Sequence, residues 1–167
     1  MKFSNQLTRC TLDGPLGPMT LAAHDGGLVG IWFDGQQHRP DPSAWAVNPR
    51  HPMLASATRQ LQEYFAGNRQ VFDMALDLDG GTGFQQQVWR ALLEIPLGQT
   101  VSYGAISQRI GRPRAVRAVG AAVGRNPLSI VVPCHRIVGT NGALTGYAGG
   151  LDRKTALLQL ESPRLDH

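Results

Sequence analysis

The apolar positions change period along the chain. In the first half they alternate or run in short blocks. Met19–His24 and Leu28–Phe33 are apolar runs parted by Asp25-Gly26-Gly27, which predicts a hairpin. Leu7–Thr11 alternates weakly and reads as an edge strand, followed by a turn over Asp13-Gly14-Pro15-Leu16-Gly17-Pro18. The stretch from Asp34 to Pro52 is rich in Pro, Gly, His and Asp and reads as a long loop. Leu54, Ala57, Leu61, Tyr64 and Phe65 fall at helical spacing within Met53–Phe65, and Gly67-Asn68 stops that helix. From Val71 to Leu78, Val71, Asp73, Ala75 and Asp77 alternate with the apolar Phe72, Met74, Leu76 and Leu78, the pattern of a strand with one solvated face.

After Asp79-Gly80-Gly81-Thr82-Gly83 the period becomes helical. Thr82 is placed to cap a helix carrying Phe84, Val88, Leu92 and Leu93, ended by Pro96-Leu97-Gly98. Ser102 is placed to cap a second helix through Ile106 and Ile110. Gly111-Arg112-Pro113 then turns into a third, Arg114 to about Gly124. Two short helices about a three-residue turn form a helix-turn-helix pattern. In the third helix Val116, Val119 and Val123 predict the core face, while Arg114, Arg117 and Ala121 share another. Its small residues, Ala115, Ala118, Gly120 and Ala122, suit close approach to a nucleic-acid groove or tight helix packing. The chain thus predicts an α+β fold. Residues 1–80 form a small mixed domain with an antiparallel sheet, and residues 84–167 a mainly helical one with the helix-turn-helix.

Charge sharpens this division. Residues 1–83 hold six Lys or Arg against eight Asp or Glu, a net −2; residues 84–167 hold ten against four, a net +6. Between Ile95 and Leu151 there is no acidic residue, yet Arg109, Arg112, Arg114, Arg117, Arg125 and Arg136 all lie there. A field of one sign on one half points to a polyanion such as nucleic acid. No stretch is long and apolar enough to span a bilayer. Met1–Gln6 lacks the apolar core of a secretory leader. The two cysteines, Cys10 and Cys134, cannot build a disulfide scaffold, and neither they nor the five histidines fall at a metal-binding spacing. These features predict a cytoplasmic protein without metal or cofactor.

The chemistry concentrates in Val131-Val132-Pro133-Cys134-His135-Arg136-Ile137. The apolar lead-in reads as a strand or buried segment, and Pro133 stiffens the chain before the sulfur. An imidazole and a guanidinium beside a thiol favour the thiolate, the nucleophilic form. The run therefore predicts a reactive Cys134 with a lowered pKa. Three readings fit a Cys-His pair next to a helix-turn-helix: a group-transfer protein acting on DNA, a regulator whose cysteine senses alkylation or oxidation, and a Cys-His hydrolase.

The chain resembles the O6-alkylguanine-DNA alkyltransferases in several ordered motifs. They are Phe84-Gln85-Gln86-Gln87-Val88-Trp89, Ile95-Pro96-Leu97-Gly98, Val101-Ser102-Tyr103-Gly104, Arg117-Ala118-Val119-Gly120, Asn126-Pro127, Val132-Pro133-Cys134-His135-Arg136 and Thr145-Gly146-Tyr147-Ala148-Gly149-Gly150. A looser match includes Leu61-Gln62-Glu63-Tyr64-Phe65-Ala66-Gly67. The resemblance implies a monomer that binds duplex DNA, flips out an O6-alkylguanine and moves the alkyl group irreversibly to Cys134. It extends in principle to O4-alkylthymine.

By the same resemblance His135 is the general base acting through a bridging water, and Glu161 orients it. Without the resemblance Glu161 reads as a charged end of the last helix. Tyr103 donates to guanine N3 and helps turn the nucleotide, and Arg117 fills the gap left in the duplex. Arg114, Ala118 and Arg125 complete the DNA face. Asn126 ties the turn before the active cysteine, Arg136 is a structural anchor, the backbone at Ile137 reads the guanine edge, and Tyr147 and Ala148 form the pocket flap. Gly146 and Ala148 are smaller than in some relatives of this type. The zinc-binding cysteine module of the bifunctional members is absent, and the presence of Cys134 separates the chain from alkyltransferase-like damage binders.

Overall fold

The computed structural model describes residue 3 and residues 6–162; the opening residues on which the reading of no secretory leader rests lie mostly outside this range. The N-terminal half is built on a meander. Strands β1 (Thr8–Gly14), β2 (Gly17–His24) and β3 (Gly27–Phe33) pair antiparallel, and β4 (Ala46–Val47) adds parallel to β1, giving the order β3-β2-β1-β4. The first strand is longer than its alternation predicts and lies inside the sheet, because β4 rises from the long loop to cover its outer edge. Gly17 and Gly27, both at positive φ, open the strands that follow the two tight turns.

Helix α1 (Pro52–Phe65) buries Leu54, Ala57, Leu61 and Tyr64 against one face of the sheet. The other face is covered by a smaller cluster in which Trp32 and Trp45 lie 5.8 Å apart between ring centres, with Phe3 edge-on to both. Both faces being covered, every residue of β3 is buried.

Val71–Leu78 is not the strand its alternation predicts. It makes a single parallel bridge, Leu28 to Leu76. The backbone at Asp73 is taken instead by the buried Gln60 side chain, which accepts from Asp73 N at 2.8 Å and donates to Asp73 O at 2.7 Å. A carboxamide on α1 thus occupies the groups a ladder would need.

The C-terminal half begins with α2 (Gly83–Leu92). Thr82 caps it, as the sequence predicts, and with Gln85 it forms a reciprocal capping box. Strand β5 (Val101–Ser102) leads into α3 (Tyr103–Arg109), capped by Ser102 Oγ accepting from Ala105 N. Helix α4 (Val116–Gly124) starts two residues later than its composition predicts, so the turn spans residues 110–115 rather than three. That shift leaves Val116 exposed, while Val119 and Val123 are buried.

The run before Cys134 is buried but turns rather than extends; Ile130 sits at φ 74. Cys134–Arg136 form a single 3-10 turn, followed by β6 (Ile137–Val138), parallel to β5. Helix α5 (Leu151–Glu161) closes the fold.

One apolar core runs through both halves, from Leu21 and Leu61 through Trp89 and Val119 to Val132 and Leu157. The open edge of β3 is used to lock them: Ile31 N donates to Pro127 O, and Ser129 N to Ile31 O. Trp89, fully buried on α2, donates from Nε1 to Ala122 O of α4 at 2.9 Å and so fixes the second helix of the pair. Gly81 lies under that indole; a Cβ there stands 2.3 Å from the ring. Gly81→Ala is expected to displace Trp89 and lower unfolding stability by about 1–3 kcal/mol, the usual cost of overpacking. The midpoint of urea unfolding measures it, and an unchanged midpoint refutes the placement.

Candidate active site and DNA-facing surface

The 3-10 turn sets three consecutive side chains, Cys134, His135 and Arg136, into the interior, all nearly inaccessible. Behind them α5 brings its last residue. Glu161 is buried, and its carboxylate receives four hydrogen bonds. Tyr64 Oη donates at 2.6 Å, His135 Nε2 lies at 2.7 Å, and Arg136 grips both oxygens through Nε at 2.8 Å and Nη2 at 3.0 Å. The bland reading of Glu161 as a solvated helix end is excluded by this burial. Arg136 Nη1 also donates to Ile95 O. Each of the three guanidinium nitrogens thus has a buried acceptor.

The protonation states follow from these contacts. Burial raises the Glu161 pKa, but hydrogen bonds from His135, Arg136 and Tyr64 outweigh it and hold the group at about 2, against an ordinary 4.5. Burial lowers the His135 pKa, against the pull of Glu161, so the ring is neutral. Because Glu161 is anionic and only accepts, the single ring proton sits on Nε2. Nδ1 carries the free lone pair and is buried without a protein partner among the described residues.

Burial also pushes the Cys134 thiol up. The Asn126 amide, the Lys154 charge and backbone N–H groups pull the other way without reversing it. The resting sulfur is a protonated thiol, which corrects the expectation of a lowered pKa: desolvation outweighs a neighbour that is itself neutral.

Lys154 is the residue that sequence reasoning missed. It is fully buried on α5, and its ammonium donates to Ile137 O at 2.5 Å and Thr145 O at 3.2 Å. Burial lowers its pKa, and Cys134 partly restores it. Tyr64 was missed as well. The available signal was helical register: Lys154, Leu157 and Glu161 share the buried face of α5.

In front of Cys134 lies a cavity of about 280 Å³. Its walls include Tyr103, Val123, Gly146, Tyr147 and Ala148. Gly120 also borders it, with room for a Cβ only in ordinary contact with the Tyr103 ring, so its smallness serves the cavity rather than a groove. Tyr103 Oη shares a hydrogen bond of 2.8 Å with Thr145 Oγ1. Asn126, Arg136 and Ile137 do not line this cavity. Asn126 donates to Val132 O at 2.8 Å and accepts from Leu128 N at 2.9 Å, cross-bracing the turn into Cys134. Ile137 is buried in β6, its carbonyl held by Lys154.

Arg114, Arg117, Ala118, Ala121 and Arg125 are all exposed on or beside α4, on the side away from its buried Val119 and Ala122. Arg112 stacks on Phe84, 5.9 Å from the ring centre. Among the described residues no cluster of three or more His, Cys, Asp or Glu stands ready to hold a metal ion. No helix is long and apolar enough to cross a membrane.

Known proteins are similar to this chain in sequence and fold. Residues 8–78 match the ribonuclease-like domain of 6-O-methylguanine DNA methyltransferase, and residues 83–163 match its DNA-binding domain. A methylated-DNA–protein-cysteine methyltransferase of Mycobacterium tuberculosis is 51% identical over 154 residues, covering 92% of each chain. One of Methanosarcina acetivorans is 49% identical over 150 residues, 89% of this chain and 94% of that one. A Mycobacterium tuberculosis relative solved in complex with DNA superposes with a TM-score of 0.87 at 50% identity, over 92% of each chain. The chain belongs to the 6-O-methylguanine DNA methyltransferase family, whose members repair DNA by moving an alkyl group onto a cysteine of their own.

Proposed function

We propose that the acceptor is Cys134 and that this chain takes the alkyl group from guanine O6 in duplex DNA, after flipping the nucleotide into the cavity beside Tyr103. The observation that carries the reading is the buried array Glu161–His135 behind a cysteine that opens on a cavity large enough for a base. In the proposed step the Cys134 thiol gives its proton to His135 Nδ1 through a bridging water. The resulting imidazolium is held by Glu161, and the Lys154 ammonium stabilises the thiolate as it forms. The sulfur attacks the alkyl carbon, and the C–O6 bond breaks with its electron pair going to the guanine. Tyr103 donates to guanine N3 as that charge develops. The thiol proton ends on the guanine, and the product is a thioether on Cys134. Nothing in the site offers a route to cleave that bond, so each molecule acts once. Thymine O4 presents the same reacting bond on a smaller base.

A base reaches a buried sulfur only by leaving the stack, which costs a few kcal/mol. In this reading Arg117, exposed on α4, fills the gap. Arg114 and Arg125 contact phosphates, and Ala118 lets the helix lie close. Such contacts are sequence-independent, and the cavity supplies selection. A monomer suffices on this reading, since every side chain it uses comes from one chain. A free thiol without disulfides suits the reducing bacterial cytoplasm that the mycobacterial relatives suggest.

Three outcomes test this reading. After reaction with DNA containing O6-methylguanine, peptide mass spectrometry is expected to find one methyl per molecule, on Cys134. Methyl on Cys10, or more than one lesion repaired per protein, overturns it. Cys134→Ala is expected to abolish transfer and keep DNA binding.

For Arg117→Ala, repair in duplex DNA is expected to slow far more than reaction with free O6-benzylguanine, which needs no extrusion. Equal slowing of both reassigns Arg117 to the fold.

The third concerns pH. The Glu161 pKa is depressed on folding, so its stabilisation is complete above about 4.5 and is lost as pH falls toward about 2. That window is worth on the order of 3 kcal/mol. The lowered His135 pKa acts with the same sign, below 6.5. Acid unfolding in this window is expected to flatten in Glu161→Gln, which also loses stability at neutral pH because Arg136 is left buried without its counter-charge. An unchanged acid limb removes Glu161 from the array.

A further inference from the structure

The cavity before Cys134 has one wall that the C-terminal half does not provide. Of the residues lining it, Gln37 alone comes from the N-terminal half, from the segment 34–39 that follows β3. Its backbone N–H donates to Ala148 O of the flap at 2.9 Å, so this strap and the flap meet at the cavity rim. The strap is held on both sides of Gln37. Gln36 is buried, and its Oε1 accepts from Phe33 N at 2.8 Å and Ser129 Oγ at 3.2 Å. Arg39 donates to Asp34 Oδ1 at 2.9 Å and Thr20 Oγ1 at 3.2 Å.

Arg153 of α5 joins strap to flap. Its guanidinium donates to three carbonyls, Leu16 at 3.0 Å, Gly149 at 3.1 Å and Asp34 at 3.2 Å, while stacking 4.7 Å from the centre of Phe33. Three segments distant in sequence are thus pinned by one side chain, and the position of residue 37 relative to Cys134 is built into the fold.

In the flap the rigid Tyr147 ring stands between two small residues, since Gly146 has no side chain and Ala148 a single methyl. On that rim Gln37 carries the largest flexible side chain, with a carboxamide that both donates and accepts.

We infer that Gln37 is a specificity-determining residue for the transferred group: it forms the outer wall against which the alkyl substituent of the extruded base must fit. This rests on the reading of Cys134 as acceptor. Truncating residue 37 opens the wall and favours bulky groups; enlarging it closes the wall and favours methyl. Neither change touches the strap's anchors, because Gln37 is tied through its backbone.

The test measures single-turnover transfer from duplexes holding either O6-methylguanine or O6-benzylguanine, for wild type, Gln37→Ala and Gln37→Phe. Thermal unfolding serves as the check on folding. The benzyl-to-methyl rate ratio is expected to rise in Gln37→Ala and fall in Gln37→Phe, each by about tenfold, the scale on which a pocket wall discriminates neighbouring sizes. Opposite shifts in the two variants support the inference. A ratio unchanged in both, or moved in the same direction by both, overturns it while the acceptor reading stands. A wild type that repairs neither duplex, or whose product carries no alkyl group on Cys134, removes the acceptor reading and this inference with it.

Discussion

A carboxylate taken out of water is tolerated only when donors replace its hydration. At Glu161 those donors come from distant parts of the chain: Tyr64 of α1, and His135 and Arg136 of the turn behind the cavity. The fold has to bring all of them to one point or leave a charge bare, a penalty of about 3–5 kcal/mol when a partner is lost. This constraint explains why α5 must end where it does, and why the turn at Cys134 must be tight enough to send two neighbouring side chains back to the same group. It also ties the N-terminal half to the chemistry. Tyr64 is fixed on α1 by packing against the sheet, so the sheet helps to hold Glu161 and, through it, the His135 imidazole.

The same burial shapes the reactivity of the sulfur. A thiolate beside a permanent cation is reactive toward any electrophile or oxidant that reaches it. Here the cysteine is buried and protonated, the adjacent imidazole is neutral, and Lys154 spends its donors on two carbonyls. The charges needed for the thiolate stand close but are balanced without it. On the proposed mechanism the anion forms when a base fills the cavity and excludes water, where the Lys154 charge acts through a low dielectric. Selectivity then belongs to the loaded state, which on the proposed reading suits a cysteine spent in one reaction.

Much of the fold was legible because local rules decide it. The hairpin at Asp25-Gly26, the cap at Thr82 and the cap at Ser102 are short-range signals, and the structure contains each. Val71–Leu78 failed because its alternation is real but only Leu76 bridges to β3, while Gln60, thirteen residues upstream of Asp73, takes the backbone groups there. Val116 failed because the helix begins after the turn, which shifts its register out of the core. Cys134, His135 and Tyr103 sit in recognisable motifs. Lys154 and Tyr64 do not, since their roles depend on helix faces meeting across the core. Gln37 carried no signal at all, because only the packing of a loop against a flap brings it to the cavity.

These placements divide the labour between the halves on the proposed reading. Arg114 and Arg125 set where on a duplex the protein sits through phosphates, while Arg117 fills the gap left by the extruded base. The discriminating surfaces lie inward, in a cavity whose floor is Cys134 and whose rim is shared by the flap and the strap. Helix α4 serves both tasks at once. Its outer face presents Arg117, Ala118 and Ala121, and its inner face sets Gly120 and Val123 against Tyr103 and the cavity. A shift of this helix toward DNA is therefore felt at the cavity wall, and Trp89, by holding Ala122 from behind, limits how far the helix can move. On the proposed reading, binding and base entry are coupled through one nine-residue helix that Trp89 braces.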